Sequence, residues 1–176
     1  MCAIPITATG ALSAGSGCVI PVPLELENAD AGPTAAPVIL SASPDEFSFS
    51  NNGGIVLDVG DTRRLGLTIR DPDRQDSLYI RIFVDYDPLN PSNFSSECMV
   101  PGPSDSEIRV ADCTTSTICT SALADGKTHF MEAMVADREF LDVSDPRAEG
   151  QPPFRALPED AAYSFRAWPG LTCTVP

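Results

Sequence analysis

The chain has 176 residues, a formal charge of −14 and a single lysine, Lys127. That length accommodates one domain with a sizeable core plus a tail. The charge opposes binding to nucleic acid or to anionic lipid headgroups through a basic patch, and no stretch approaches the roughly 18–20 apolar residues that cross a bilayer as a helix.

Residues 1–17, MCAIPITATGALSAGSG, are small or apolar and carry no side-chain charge before Cys18. Small residues ahead of a cysteine resemble the end of a bacterial lipoprotein signal peptide. The resemblance implies cleavage before Cys18, a lipid on its sulfur and, because Val19 follows rather than aspartate, placement in the outer membrane. Residues 18–36 are too polar and too rich in Ala, Pro and Gly to bury a core, so they read as a flexible tether. The folded part is expected over residues 37–176.

Within it, short β-runs alternate with turn residues. APVILSASP predicts a first strand, and NNGG at 51–54 a turn before GIVLDV. TRRLGLTIRD places Leu65, Leu67 and Ile69 on one face, the period of two of a half-buried strand. SLYIRIFVDYD alternates more strongly, with Leu78, Ile80, Ile82 and Val84 opposite Tyr79, Arg81, Phe83 and Asp85. SEIRVADC is another run. KTHFMEAMVAD carries helix formers, but about ten residues between Gly126 and Asp137 are short for an independent helix, so a strand is expected. AAYSFRAWPG ends the series. About seven short strands predict an all-β, antiparallel sandwich with two long loops, 87–106 and 141–160.

Six cysteines are present and none forms a CxxC pair. Cys98, Cys113, Cys119 and Cys173 read as two disulfides formed in an oxidising compartment. Cys113 with Cys119 would leave Cys98 with Cys173. A second arrangement joins Cys98 to Cys113 and Cys119 to Cys173; four cysteines allow three connectivities, and the sequence does not choose among them.

Two stretches carry a resemblance. TIRDPDRQDSLYIRIFVDYDP resembles the part of cadherin-like and PKD-like immunoglobulin-fold domains in which an acidic turn leads into an alternating strand. LADGKTHFMEAMVADREF is similar to their later strand ending in V-x-D. Phe83 stands nearest to the tryptophan that such domains often place on the middle strand. The resemblance implies an immunoglobulin-like fold and, at His129, a side chain that fixes a corner by hydrogen bonding. It specifies a fold better than a function.

No G-x-S-x-G elbow accompanies His129, so no catalytic residue is assigned and an enzyme is not expected. Asp71, Asp73 and Asp76, with Asp137 at a strand end, form the candidate calcium set, because calcium takes six to eight oxygen ligands. The alternative is that Asp and Pro simply build a turn there. Arg147, Phe154 and Arg155 in the second long loop are a candidate contact set for a partner. The expected function is a non-enzymatic, lipid-anchored module of the bacterial outer membrane, on its periplasmic or cell-surface side. It would bind an envelope or extracellular protein or assist envelope assembly. The alternative is a calcium-dependent adhesion or polysaccharide-binding module. No cofactor beyond calcium and no nucleic-acid partner is expected.

Overall fold

A computed structural model describes residues 35–48 and 54–176. The signal-like segment 1–17, Cys18, most of the tether and the 51–53 part of the expected turn lie outside the described residues.

Eight strands are described: β1 (Val38–Ser43), β2 (Ile55–Asp58), β3 (Arg64–Arg70), β4 (Leu78–Val84), β5 (Ser96–Val100), β6 (Ile108–Thr114), β7 (Thr128–Ala136) and β8 (Tyr163–Thr174). They form a three-stranded sheet in the order β1-β3-β6 and a five-stranded sheet in the order β2-β8-β7-β4-β5. Among the described residues the helical structure is two three-residue 3-10 turns, Asp45–Phe47 and Pro146–Ala148. Residues 128–136 are a strand, as their short span requires: β7 pairs with β4 on one side and β8 on the other.

Alternation sets the core. Leu65, Leu67 and Ile69 on β3 meet Leu78, Ile80 and Ile82 on β4 and Met131, Ala133 and Val135 on β7, all within one buried cluster. Each fully buried aliphatic side chain contributes about 1.5–3 kcal/mol relative to exposure. Trp168 on β8 is 1% exposed and supplies the large aromatic side chain of this core. Its Nε1 donates to the Phe47 carbonyl at 2.6 Å, the partner a buried indole requires. Phe83, by contrast, points to the opposite face of the sheet and into a second cluster.

Three expectations change. The segment 87–106 is not a continuous loop, because its SECMV stretch forms β5 and pairs antiparallel with β4 from Ser96 opposite Ile82 to Val100 opposite Leu78. Among the described residues the strand count is therefore eight rather than about seven. The sheets are also not wholly antiparallel, since β2 runs parallel to β8, with Ile55 opposite Leu171 and Asp58 opposite Thr174. A bulge interrupts the β7–β8 ladder at the Pro169-Gly170 step, between the pairs Met131–Trp168 and His129–Leu171. Proline cannot donate to a ladder, so a bulge accommodates it.

The disulfides join Cys98 to Cys113 and Cys119 to Cys173, with Cα separations of 5.2 and 5.5 Å. The first connects β5 to β6 and so links the two sheets; the second ties the segment after β6 to β8. The packing of the two sheets against each other selects this arrangement, because it brings β5 with Cys98 against β6 with Cys113.

Candidate functional site

The outer face of the five-stranded sheet and the segment that folds over it form the candidate site. Along β4 the outward residues are Tyr79, Arg81 and Phe83; on β7 they are Glu132, Met134 and Ala136. Residues 137–162 cross this surface. Phe140 and Leu157 pack on Phe83, Met134 and Ala136 to close a second apolar cluster, with Tyr86, Phe94 and Phe154 at its edge.

Donors from the sheet side pin the segment through its backbone carbonyls. Tyr86 Oη donates to Pro153 O at 2.7 Å and Arg81 Nη1 to Phe154 O at 2.9 Å. Within the segment, Leu141 N–H donates to Ala156 O at 2.8 Å and Gln151 Nε2 to Leu157 O at 2.9 Å. Phe154 adopts φ +62°, which turns the chain over the sheet.

Two arginines are half-buried in this layer and stacked on its aromatic rings. Arg81 lies over Phe94 at 4.4 Å and Phe140 at 4.6 Å, with Glu97 at 2.8 Å from its Nε. Arg155 lies over Tyr86 at 3.7 Å and Phe83 at 4.5 Å and pairs with Glu132. Guanidinium–aromatic stacking of this kind contributes about 0.5–2 kcal/mol. Burial holds Arg155 below the ordinary arginine range, and burial pushes the Tyr86 hydroxyl up.

A cleft of about 510 Å³ opens beside this layer, within the size range of small-ligand sites. Phe140, Leu141 and Pro158 give it an apolar floor. Arg81, Arg138 and Arg147 line it together with Glu139, Asp142 and Asp145. Arg147 sits in a fork on Asp145, its Nη2 at 2.7 Å and Nε at 3.1 Å from the two carboxylate oxygens. This geometry holds Asp145 down at about 2, the Arg147 side chain being the first cause and its backbone N–H the second.

Of the three residues expected to contact a partner, Arg147 alone lines the cleft; Phe154 and Arg155 are turned inward as structural cover. The sequence analysis missed Arg81 and Arg138. The signal for Arg81 was present, since it sits on the face of β4 opposite the aliphatic row. Nothing in the local sequence marks that face as covered.

The acidic turn has another use. Asp71 is fully buried and paired with Arg109 of β6. Arg109 also donates from Nη1 to the Asp76 carbonyl at 2.5 Å. Asp73 and Asp71 carboxylates cap backbone N–H groups of the turn, Gln75 N at 2.9 Å and Asp73 N at 3.2 Å. A Cβ on Gly102 would overlap the Gln75 and Asp76 carbonyls, so glycine is required where the next loop packs under this turn. Asp76 pairs with Arg138 at 3.0 Å. Asp137 accepts from the Ala162 N–H at 2.8 Å and joins β7 to the start of β8. Burial raises both Asp71 and Asp137 above the usual carboxylate range, hydrogen bonds from Asp73 N–H and Ala162 N–H opposing it. Among the described residues no group of three or more His, Cys, Asp and Glu side chains is arranged to hold a metal ion.

His129 is 7% exposed at the start of β7. Its Nδ1 lies 2.6 Å from Asp85 Oδ2 and its Nε2 2.9 Å from the Leu123 carbonyl. Both partners accept, so both ring nitrogens are satisfied as donors in the imidazolium form. The Asp85 bond, chiefly, raises the His129 pKa above its ordinary value. Asp85 also accepts the Phe130 N–H at 2.8 Å and sits at φ +49°. The result is a corner clamp between β4, β7 and the segment before β7.

No protein family, curated protein or solved structure matches the chain.

Proposed function

We propose that this protein is a non-enzymatic exported binding module. In this reading an immunoglobulin-like domain hangs on a tether whose Cys18 carries a lipid in the bacterial outer membrane. The domain faces the periplasm or the cell surface and contacts an envelope or extracellular component.

The observation that carries the reading is the pair of disulfides, Cys98–Cys113 and Cys119–Cys173. Crosslinks of this kind persist in oxidising compartments. The sheet orders β1-β3-β6 and β2-β8-β7-β4-β5 support the immunoglobulin-like assignment. They give a smaller and a larger sheet around one core, with an extra strand beside β4. The engagement of both His129 nitrogens by Asp85 and Leu123 speaks for a structural histidine rather than a base. A formal charge of −14 leaves the lipid as the means of membrane attachment. The open cleft supports a binding role.

Intact mass of the protein from its native membrane fraction, before and after reduction, tests the proposal. The expected species begins at Cys18, carries acyl chains and gains four hydrogens on reduction, two for each of the two disulfides. A species that retains residues 1–17 without lipid overturns the anchor. A chain that gains no hydrogens overturns the compartment.

A further inference from the structure

The two edges of β8 are not equally covered. β7 pairs along one edge from Tyr163 to Thr172. β2 pairs along the other only from Leu171 to Thr174. Among the described residues no strand pairs with Tyr163–Ala167 on the side away from β7. This stretch, YSFRA, carries neither proline nor lysine, two of the devices that blunt a sheet edge. Tyr163 and Phe165 share the outer face with Ala136 and Met134 and are exposed. An unpaired edge beside an exposed aromatic row is a template for one more strand.

The chain itself holds a segment of matching pattern. Residues 19–26 read VIPVPLEL, with Ile20, Val22, Leu24 and Leu26 at a spacing of two, the period of a strand with one apolar face. Pro21 and Pro23 fall between them. Along an extended strand, alternate residues turn their N–H and C=O groups to opposite edges. With the aliphatic residues turned to β8, every donor on that side is present. Both prolines then face away, where no donor is needed and where they stop a further strand from adding. With the aliphatic side chains beside Phe165 on the outer face, Glu25 falls on the same face as Arg166, an opposite charge.

The connection suits this pairing. Ser164 Oγ donates to the Pro37 carbonyl at 2.5 Å, so the chain enters β1 beside the open edge. The linking residues 27–36 reach at most about 35 Å when extended, whereas Tyr163 to Ala167 covers about 14 Å. A second copy of the chain would bring another net charge of −14 to the edge. A linked segment instead meets it at an effective concentration on the order of 1 mM.

We infer that residues 19–26 add to the Tyr163–Ala167 edge of β8 of the same chain as a further strand. The expected tether then shortens to residues 27–36. The inference does not depend on a lipid at Cys18, because residues 19–26 follow that position whether or not it is modified.

The test is NMR of the full chain with both disulfides formed, reading amide hydrogen exchange and NOEs. The amides of Ile20, Val22 and Leu24 are expected to exchange at least about tenfold more slowly than in an unstructured chain, with NOEs from their side chains to Tyr163 and Phe165. Val22→Pro removes a donor that faces β8 and should abolish this protection. Pro21→Ala adds an N–H that faces away and should leave the protection within about twofold. Exchange in β3 should be unchanged in both variants. Unprotected amides at residues 20, 22 and 24 overturn the inference. So does protection that survives Val22→Pro, a set of NOEs to Ile108 and Val110 of the other sheet instead, or protection found only in a dimer. Intact mass reads the lipid separately, so either result can fail while the other stands.

Discussion

The two faces of the five-stranded sheet bury apolar surface by different means. The inner face is aliphatic and self-sufficient: Leu78, Ile80, Ile82, Met131, Ala133 and Val135 meet the other sheet, and Trp168 fills the remaining volume. The outer face alternates aromatics with charge, as Tyr79, Arg81 and Phe83 do on β4. It is sealed by residues 137–162 rather than by a sheet. Half-buried arginines are tolerated there because each is stacked and paired with a carboxylate. The cover stops at β7. On β8, Tyr163 and Phe165 share the outer face and remain 51% and 65% exposed. The 137–162 segment thus converts the β4–β7 part of a solvent-facing sheet surface into core while its own rim forms a cleft.

Breaking the inner face should cost most. Trp168→Ala removes the largest buried side chain and leaves the Phe47 carbonyl without its donor. A loss of about 3–5 kcal/mol is expected, read from the urea midpoint of the disulfide-intact protein. The outer face should yield less. Arg155→Ala removes two stacking contacts and the partner of Glu132, for an expected loss of about 2 kcal/mol. It should also raise amide exchange within residues 150–158 while exchange in β3 stays unchanged. A loss equal to that of Trp168→Ala would mean that the two clusters unfold as one.

The His129 clamp joins the inner face to its edge and depends on pH. Its folded pKa is raised above the ordinary 6.5 by Asp85 first, with burial opposing. The stabilisation is therefore complete below that ordinary value and is lost as pH rises through the folded pKa. The thermal midpoint should fall as pH rises above the ordinary histidine value of 6.5, and His129→Gln should flatten that slope. An unchanged slope in the variant would place the titration elsewhere. The smallest effect belongs to the cleft rim: Asp142→Ala should change stability by no more than about 0.5 kcal/mol, because its side chain is exposed. A larger loss would make the rim part of the cover.

Most of the strands were legible, because a half-buried strand writes its burial as a period of two. β3 and β4 carry unbroken alternation, and the short span of 128–136 was enough to reject a helix. β5 was not legible. SECMV is five residues among Pro, Ser and Asp, and what makes it a strand is the free edge of β4. Arg109, the partner of Asp71 in the acidic turn, lies 38 residues away, and only the β3–β6 ladder brings it near. Arg155 read as an exposed contact because a loop with no periodicity gives no sign of which side chains turn inward. Among the cleft residues Arg147 alone was anticipated, since Arg81, Arg138 and Asp142 are scattered over some sixty positions of the chain.

From residue order alone came the all-β class, the aliphatic core positions on β3 and β4, and the membership of the four cysteines in two crosslinks. These follow from local properties: side-chain period, turn chemistry and thiol count. The tertiary structure decided which cysteines pair, that β2 runs parallel to β8, and that the second long segment is a lid on the sheet. It also set Arg109 against Asp71 and Arg138 against Asp76, and it set opposite charges side by side in the cleft. Each of those depends on which distant segments become neighbours. Neighbourhood is settled by the packing of whole sheets and is not encoded in any window of the sequence.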